Sequence, residues 1–250
     1  MRFLLLQIIL CILFLSNKGY EDFLKKGDEF HQKFDNVNAV VNYEKAYKIA
    51  PDNYEVLLKL VWAYNDAGEE FFELRNRKES EKFINQAIIY AEKFHKLFPD
   101  SAATYCYRAM SYGNLAMFKG GNEKIKLARE VEVNAKKAIE INNNQYTAYV
   151  ILGIYNREVA GLGFFERLFA NAFFGGIPEG SYEESIKMFN KALEVEPNTI
   201  VACYQLSKTY RNMGNEAKEK ELLQKLLGYK IKNFRDKFAI EKTKKRLEKL

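Results

Sequence analysis

The chain predicts an all-α fold: a right-handed α-solenoid of about five helix-turn-helix units with elongated helices and a C-terminal capping helix. Three observations carry that expectation. Apolar residues recur at one set of intervals; in the first copy Phe23, Gly27, Phe30, Ala39, Tyr43, Ala46 and Pro51 occupy positions 4, 8, 11, 20, 24, 27 and 32 of a 34-residue unit starting at Tyr20. Three of the four prolines, Pro51, Pro99 and Pro197, close a unit at position 32, where proline cannot continue a helix. No useful length of chain alternates apolar and polar residues as a half-buried strand does.

The units follow in order. In the first, small residues at 20 and 27 let two antiparallel helices, A and B, approach, while aromatics at 4, 11 and 24 fill the space beside them. The second opens with Leu57, Leu60 and Tyr64 and closes with Ala87, Ala91, Phe94 and Pro99, again at 20, 24, 27 and 32. It holds about fourteen extra residues, enough to lengthen both helices by roughly two turns each. The third runs from Tyr105 and Tyr112 to Val131, Ala135, Ala138 and Asn143. The fourth runs from Tyr149, Leu152 and Gly153 to Ser185, Phe189, Ala192 and Pro197, and each carries an insertion. A fifth starts at Ile200 with Cys203, Leu206, Tyr210, Gly214 and Leu223. Asp236 to Leu250 is the expected cap over its last apolar face. This is the spacing of the tetratricopeptide (TPR) helix pair.

With 48% hydrophobic residues in 250, the chain can build a continuous core over residues 20–250. Its net charge of +6 is local: Lys230 to Leu250 holds nine Lys or Arg against three acidic residues, and the remainder is balanced. The favoured reading is a solvated basic face rather than an anionic partner, and no nucleic acid is expected. At the front, Arg2 precedes an apolar run from Phe3 to Leu15, broken only by Gln7 and Cys11, and then Ser16, Asn17, Lys18 and Gly19. That is a signal-peptide layout, and a helix of roughly 20 Å is short for a membrane span. The expectation is export, periplasmic or secreted, with a mature chain starting near Tyr20; the alternative is a short membrane anchor in residues 1–19. Lipid attachment at Cys11 is not expected, because Leu10 stands where a small residue should precede it. Cys106 and Cys203 fall at core-like positions and read as small buried apolar residues.

Chemistry is sparse. His31 and His95 lie on different units with no metal-spaced partner, and no phosphate loop or nucleophile motif occurs. Glu69, Glu70, Glu73, Glu183 and Glu184 read as solvated carboxylates. No catalytic residue, metal or cofactor is expected, and the chain is not read as an enzyme. In TPR proteins positions 2, 5, 9, 12 and 13 of helix A face the concave surface. Positions 5 and 9 here give Leu24 and Asp28, Leu58 and Trp62, Cys106 and Met110, Val150 and Ile154, Tyr204 and Lys208. The Lys and Asn pattern that holds a peptide C-terminus is nearly absent. The lining suits hydrocarbon or the apolar face of a helix, with Arg157, Lys208 and Arg211 supplying charge at one end; the alternative is that these residues pack on one another as core. Between the helices of the fourth unit, 161–178 reads GLGFFERLFANAFFGGIP. Phe165, Phe169 and Phe173 recur at i, i+4 and i+8, with Phe164 and Phe174 adjoining, a stripe that packs under the solenoid, lids a groove or dips into a membrane surface.

This segment also carries a sharper resemblance. Leu152-Gly153, Glu158-Val159-Ala160, Phe165-Glu166-Arg167, then Ala170, Ala172, Phe173, Gly175, Pro178 and Tyr182 to Ala192 resemble the C-terminal half of the regulator of microtubule dynamics family. Lys124 to Ile141 is similar to that family's third unit, and the likeness spans nearly all of Tyr20 to Leu250. The resemblance implies a helical repeat protein without catalytic motifs, an adaptor or lipid-contacting protein whose eukaryotic members sit on organelle membranes by an N-terminal segment. Because the repeats begin directly after the apolar run, the expectation is a compact, exported relative of bacterial type.

Together these readings predict a non-enzymatic binding module whose groove takes an apolar ligand, such as a lipid or acyl chain, or an amphipathic peptide. Its expected partners are a protein or peptide, a lipid, and a membrane surface. The alternative function is a structural adaptor for a membrane-associated complex.

Overall fold

The computed structural model describes residues 19–163, 176 and 179–250, and among these the chain is helical with no strand. Eleven helices are seen in the described residues. The first four are α1 (19–32), α2 (Asn36–Ile49), α3 (Tyr54–Glu73) and α4 (Arg77–Leu97). Then come α5 (Ala102–Ala116), α6 (Gly121–Ile141), α7 (Tyr146–Ala160), α8 (Tyr182–Val195), α9 (Ile200–Asn212), α10 (Glu216–Leu226) and the final α11 (Phe234–Leu247). The odd-numbered α1 to α9 are A helices and their even partners are B helices. At 20 and 21 residues, α3 and α4 exceed the 14 of α2 by about two turns, as the spacing of the second helix pair requires. Helices α2, α4 and α8 each stop two residues before Pro51, Pro99 or Pro197.

Three of the turns between A and B helices, those after α1, α3 and α9, share one construction. Phe34, Arg75 and Gly214 adopt left-handed backbone, with φ of 62°, 60° and 74°. The next residue's N–H then reaches back to the last turn of helix A: Asp35 to Phe30 O at 3.0 Å, Asn76 to Phe71 O at 2.9 Å and Asn215 to Tyr210 O at 2.9 Å. This is a Schellman closure, and the same Asp35, Asn76 and Asn215 side chains then cap the following B helix. One residue therefore ends helix A and starts helix B.

The described residues fall into two compact units, the first ending at Phe98 and the second running from Pro99 to Leu250. In the first, Leu24, Ala39, Tyr43, Ala46, Leu60, Ala63, Ala67 and Ala87 form the core. A methyl group on Gly27 would lie 2.2 Å from the Tyr43 ring, so position 8 must be glycine where position 24 is a large aromatic. The second unit repeats the device. A Cβ on Gly153 would lie 2.6 Å from the Phe189 ring, and the Ser185 hydroxyl donates to Gly153 O at 2.8 Å, tying helices α7 and α8 where they approach.

Within the second compact unit α5 packs on α6, α7 on α8 and α9 on α10, while α5 also touches α7 and α7 touches α9. Successive A helices thus lie side by side as one face. Helix α11 closes the row against α9 and α10, with Phe234 and Ala239 buried, as the expected cap. Residues 1–18, and with them the expected signal peptide or anchor, lie outside the described residues. Among those described, no helix is long and apolar enough to cross a membrane.

Candidate functional site

The A-helix face of the second compact unit holds the richest set of predicted site residues. Met110 on α5, Ile154 on α7 and Lys208 on α9 all occupy position 9 of their repeats and are half-buried, and Tyr204 sits one turn before Lys208. Because α5, α7 and α9 are neighbours, equal positions form a row across the face: the thioether of Met110, the branched Ile154, then an ammonium. Cys106 and Val150, at position 5, are buried beneath it in the cores around Ala138 and Phe189. Burial pushes the Cys106 thiol up to about 12 and the Cys203 thiol up to about 11, which suits packing rather than thiolate chemistry.

The predicted basic end consists of three different environments. Arg157 on α7 is only 2% exposed; its Nη1 donates to the Gln205 carbonyl at 3.1 Å and to Gln205 Oε1 at 2.8 Å, and its Nε and Nη2 donate to Glu158 Oε1 at 3.1 and 3.0 Å. The guanidinium thereby ties α7 to α9. Arg211 donates to the buried Glu219 at 2.5 Å, and the same carboxylate accepts from Arg246 of α11 at 2.8 and 2.9 Å. Burial raises the Glu219 pKa, but the hydrogen bonds from Arg246 and Arg211 outweigh it and hold the carboxyl below the ordinary range. Lys208 has no hydrogen bond or ion pair among the described residues. Burial, with Arg157 next in weight, lowers its pKa to about 8.

Reasoning from spacing left Gln205, Glu219 and Arg246 unassigned, although Glu219 had a signal. It occupies position 20 of the fifth repeat, where the other four have Ala39, Ala87, Val131 and Ser185. A carboxylate at a close-approach position requires cations beside it, and Arg211 lies eight residues before it.

In the first compact unit the predicted residues meet polar pairs that are already closed. Leu24 is core, and Leu58 and Trp62 are half-buried on α3. The Trp62 ring lies 4.0 Å from that of His31, whose Nε2 is 2.9 Å from the buried Asp66. Asp28, at position 9, accepts from Lys59 at 2.6 Å and from the Tyr43 hydroxyl at 2.7 Å. Phe164, Phe165, Phe169, Phe173 and Phe174 lie outside the described residues. Among the described residues no group of three or more His, Cys, Asp or Glu side chains could hold a metal ion.

With this geometry in view, comparison with known proteins is decisive on family. The profile of "Regulator of microtubule dynamics protein 1-3" matches residues 23–250. The chain belongs to the regulator of microtubule dynamics family. It is 28% identical to mouse regulator of microtubule dynamics protein 1 over 182 residues, covering 72% of this chain and 60% of the relative. It is 27% identical to rat regulator of microtubule dynamics protein 3 over 219 residues, 83% of this chain and 45% of that protein. The chain thus spans about half to three-fifths of these relatives' lengths. Among solved structures, a thermophilic TPR protein of Thermus thermophilus superposes with a TM-score of 0.65 at 16% identity, covering 90% of this chain and 98% of its own. The fold is a TPR-like helical solenoid.

Proposed function

We propose that the protein is a non-enzymatic binding module whose second compact unit receives the hydrocarbon part of an acyl-chain ligand on the face of α5, α7 and α9. The observation that carries this reading is the pair Met110 and Ile154 at position 9, extended on α9 by the ring of Tyr204 one turn before Lys208. These are large apolar side chains, half-buried at inward positions where a clamp for a peptide terminus would need polar ones. Burying a ten-carbon chain supplies about 8 kcal/mol of gross transfer at about 0.8 kcal/mol per methylene, before the cost of association, so micromolar affinity is within reach. We further propose that the protein works outside the cytoplasm, exported or held at a membrane by residues 1–19. An intact mass from the natural host tests this, with a mature start near Tyr20 expected and a species retaining Met1 pointing to the anchor.

Displacement of a fluorescent acyl-chain probe tests the binding reading. Native protein is expected to bind the probe with a micromolar Kd. Met110→Lys, which sets an ammonium among hydrocarbon, should weaken binding at least tenfold with unchanged helix content. Failure of acyl chains to bind at all would leave the adaptor function in its place.

A further inference from the structure

The row of position-9 residues ends in a cation that makes no hydrogen bond or ion pair among the described residues and feels only the more distant charge of Glu158, and its surroundings show that this is not a solvated surface lysine. Lys208 is half-buried on α9. On α7, Arg157 fixes its guanidinium against Gln205, one turn before Lys208, and Glu158 is already engaged by that guanidinium. On its own helix Arg211 lies three residues on, and its charge is met by Glu219, which also takes Arg246 of α11. Lys242 of α11 adds a further like charge that acts on Lys208. Among the described residues, the two carboxylates of this cluster, Glu158 and Glu219, are both held by arginines.

We propose that Lys208 is the anchor of an anion-binding subsite that takes the carboxylate or phosphate head group of the ligand, with Arg157 and Arg211 as fixed flanking charges. A half-buried ammonium with no partner is unfavourable by itself, and an oxyanion brought by a ligand relieves that cost. Position supplies the rest. Neighbouring A helices lie roughly 8–10 Å apart, so a chain lying over Met110 and Ile154 brings its head group to α9. The lowered pKa of Lys208, about 8, adds a signature: a bound anion favours the charged amine, so affinity falls as pH rises through that value. The apolar part of this inference rests on the acyl-chain reading above; the anion subsite does not.

Calorimetric titration of the full chain separates the two. The probes are decanoate, decanol and inorganic sulfate; decanoate and sulfate keep a constant charge above about pH 6. Decanoate should bind at least tenfold tighter than decanol at pH 7 and lose most of that advantage at pH 9.5. Lys208→Met should remove the preference, while Lys208→Arg, which stays charged at both pH values, should keep it and flatten the pH dependence. Equal binding of decanoate and decanol, or a Lys208→Met protein that still prefers decanoate, overturns the anion subsite and leaves the trough. Sulfate binding that depends on Lys208, with decanoate binding no tighter than sulfate, supports the subsite and removes the trough. Circular dichroism of each variant confirms that the fold is retained.

Discussion

The two compact units compensate their partly buried charge in opposite ways. In the first, the charged groups are matched by neighbours of the same unit: Asp28 by Lys59 and Tyr43, Asp66 by His31, and Glu44 by the Tyr64 hydroxyl. Burial, with Asp28 and Glu44 as acceptors, holds the Tyr43 and Tyr64 phenols above their ordinary range, so these contacts are neutral donors to carboxylates at physiological pH. In the second, Glu219 draws in two arginines, Arg157 is held by Gln205 and Glu158, and Lys208 is left over. A polar group closed within its own unit specifies packing. One left open at the end of an apolar row is the group proposed above to meet a ligand.

The comparison breaks first at Glu219. Glu219→Gln should lower stability by about 2 kcal/mol, because two guanidinium groups lose their shared charge; both are about a third exposed, which limits the cost. Its pH dependence has a definite sign. With a folded pKa below the unfolded one, the Glu219 contribution is present above the ordinary carboxylate range and is lost as pH falls through the depressed value. Denaturation curves at pH 7 and pH 3 should therefore show a gap between native and Glu219→Gln protein that narrows in acid.

Close approach is next. Gly153→Ala or Ala192→Leu should overpack α7 against α8 and cost about 1–3 kcal/mol in urea unfolding, since Ala192 is fully buried and Phe189 leaves no room over Gly153. A neutral Ala192→Leu would mean that the fourth repeat is out of register.

Lys208 should behave in the opposite way. Its folded pKa of about 8 lies below the ordinary 10.5, so the unfolded chain binds more protons between those values and stability rises with pH across that window. Lys208→Met should raise Tm at pH 7 and abolish the rise, a gain in stability at the expense of ligand binding. The smallest effect is expected at the A–B turn. Arg75 holds φ at 60°, and Arg75→Gly should stabilise by about 0.5 kcal/mol, since relief of left-handed strain outweighs glycine's entropy.

Most of the fold was legible because it rests on spacing. Ala39, Ala46, Ala138 and Ala192 announced close approach, and the three position-32 prolines marked the ends of B helices. The extra residues of the second repeat became two longer helices because its end positions were unchanged. The site was only half legible. Spacing put Met110, Ile154 and Lys208 at one position, but charge compensation depends on which side chains meet across helices, and Arg246 reaches Glu219 from 27 residues away. The A–B turns were also hidden, because Phe34 and Arg75 occupy backbone usually given to glycine.

The most direct test of the account is a native mass spectrum of the purified full chain before and after organic extraction. The account predicts added mass in the first spectrum, lost on extraction and recovered as an acidic acyl-chain molecule. Lys208→Met protein should carry less of it. A spectrum that matches the bare polypeptide in both states, with no uptake of added decanoate, would contradict it.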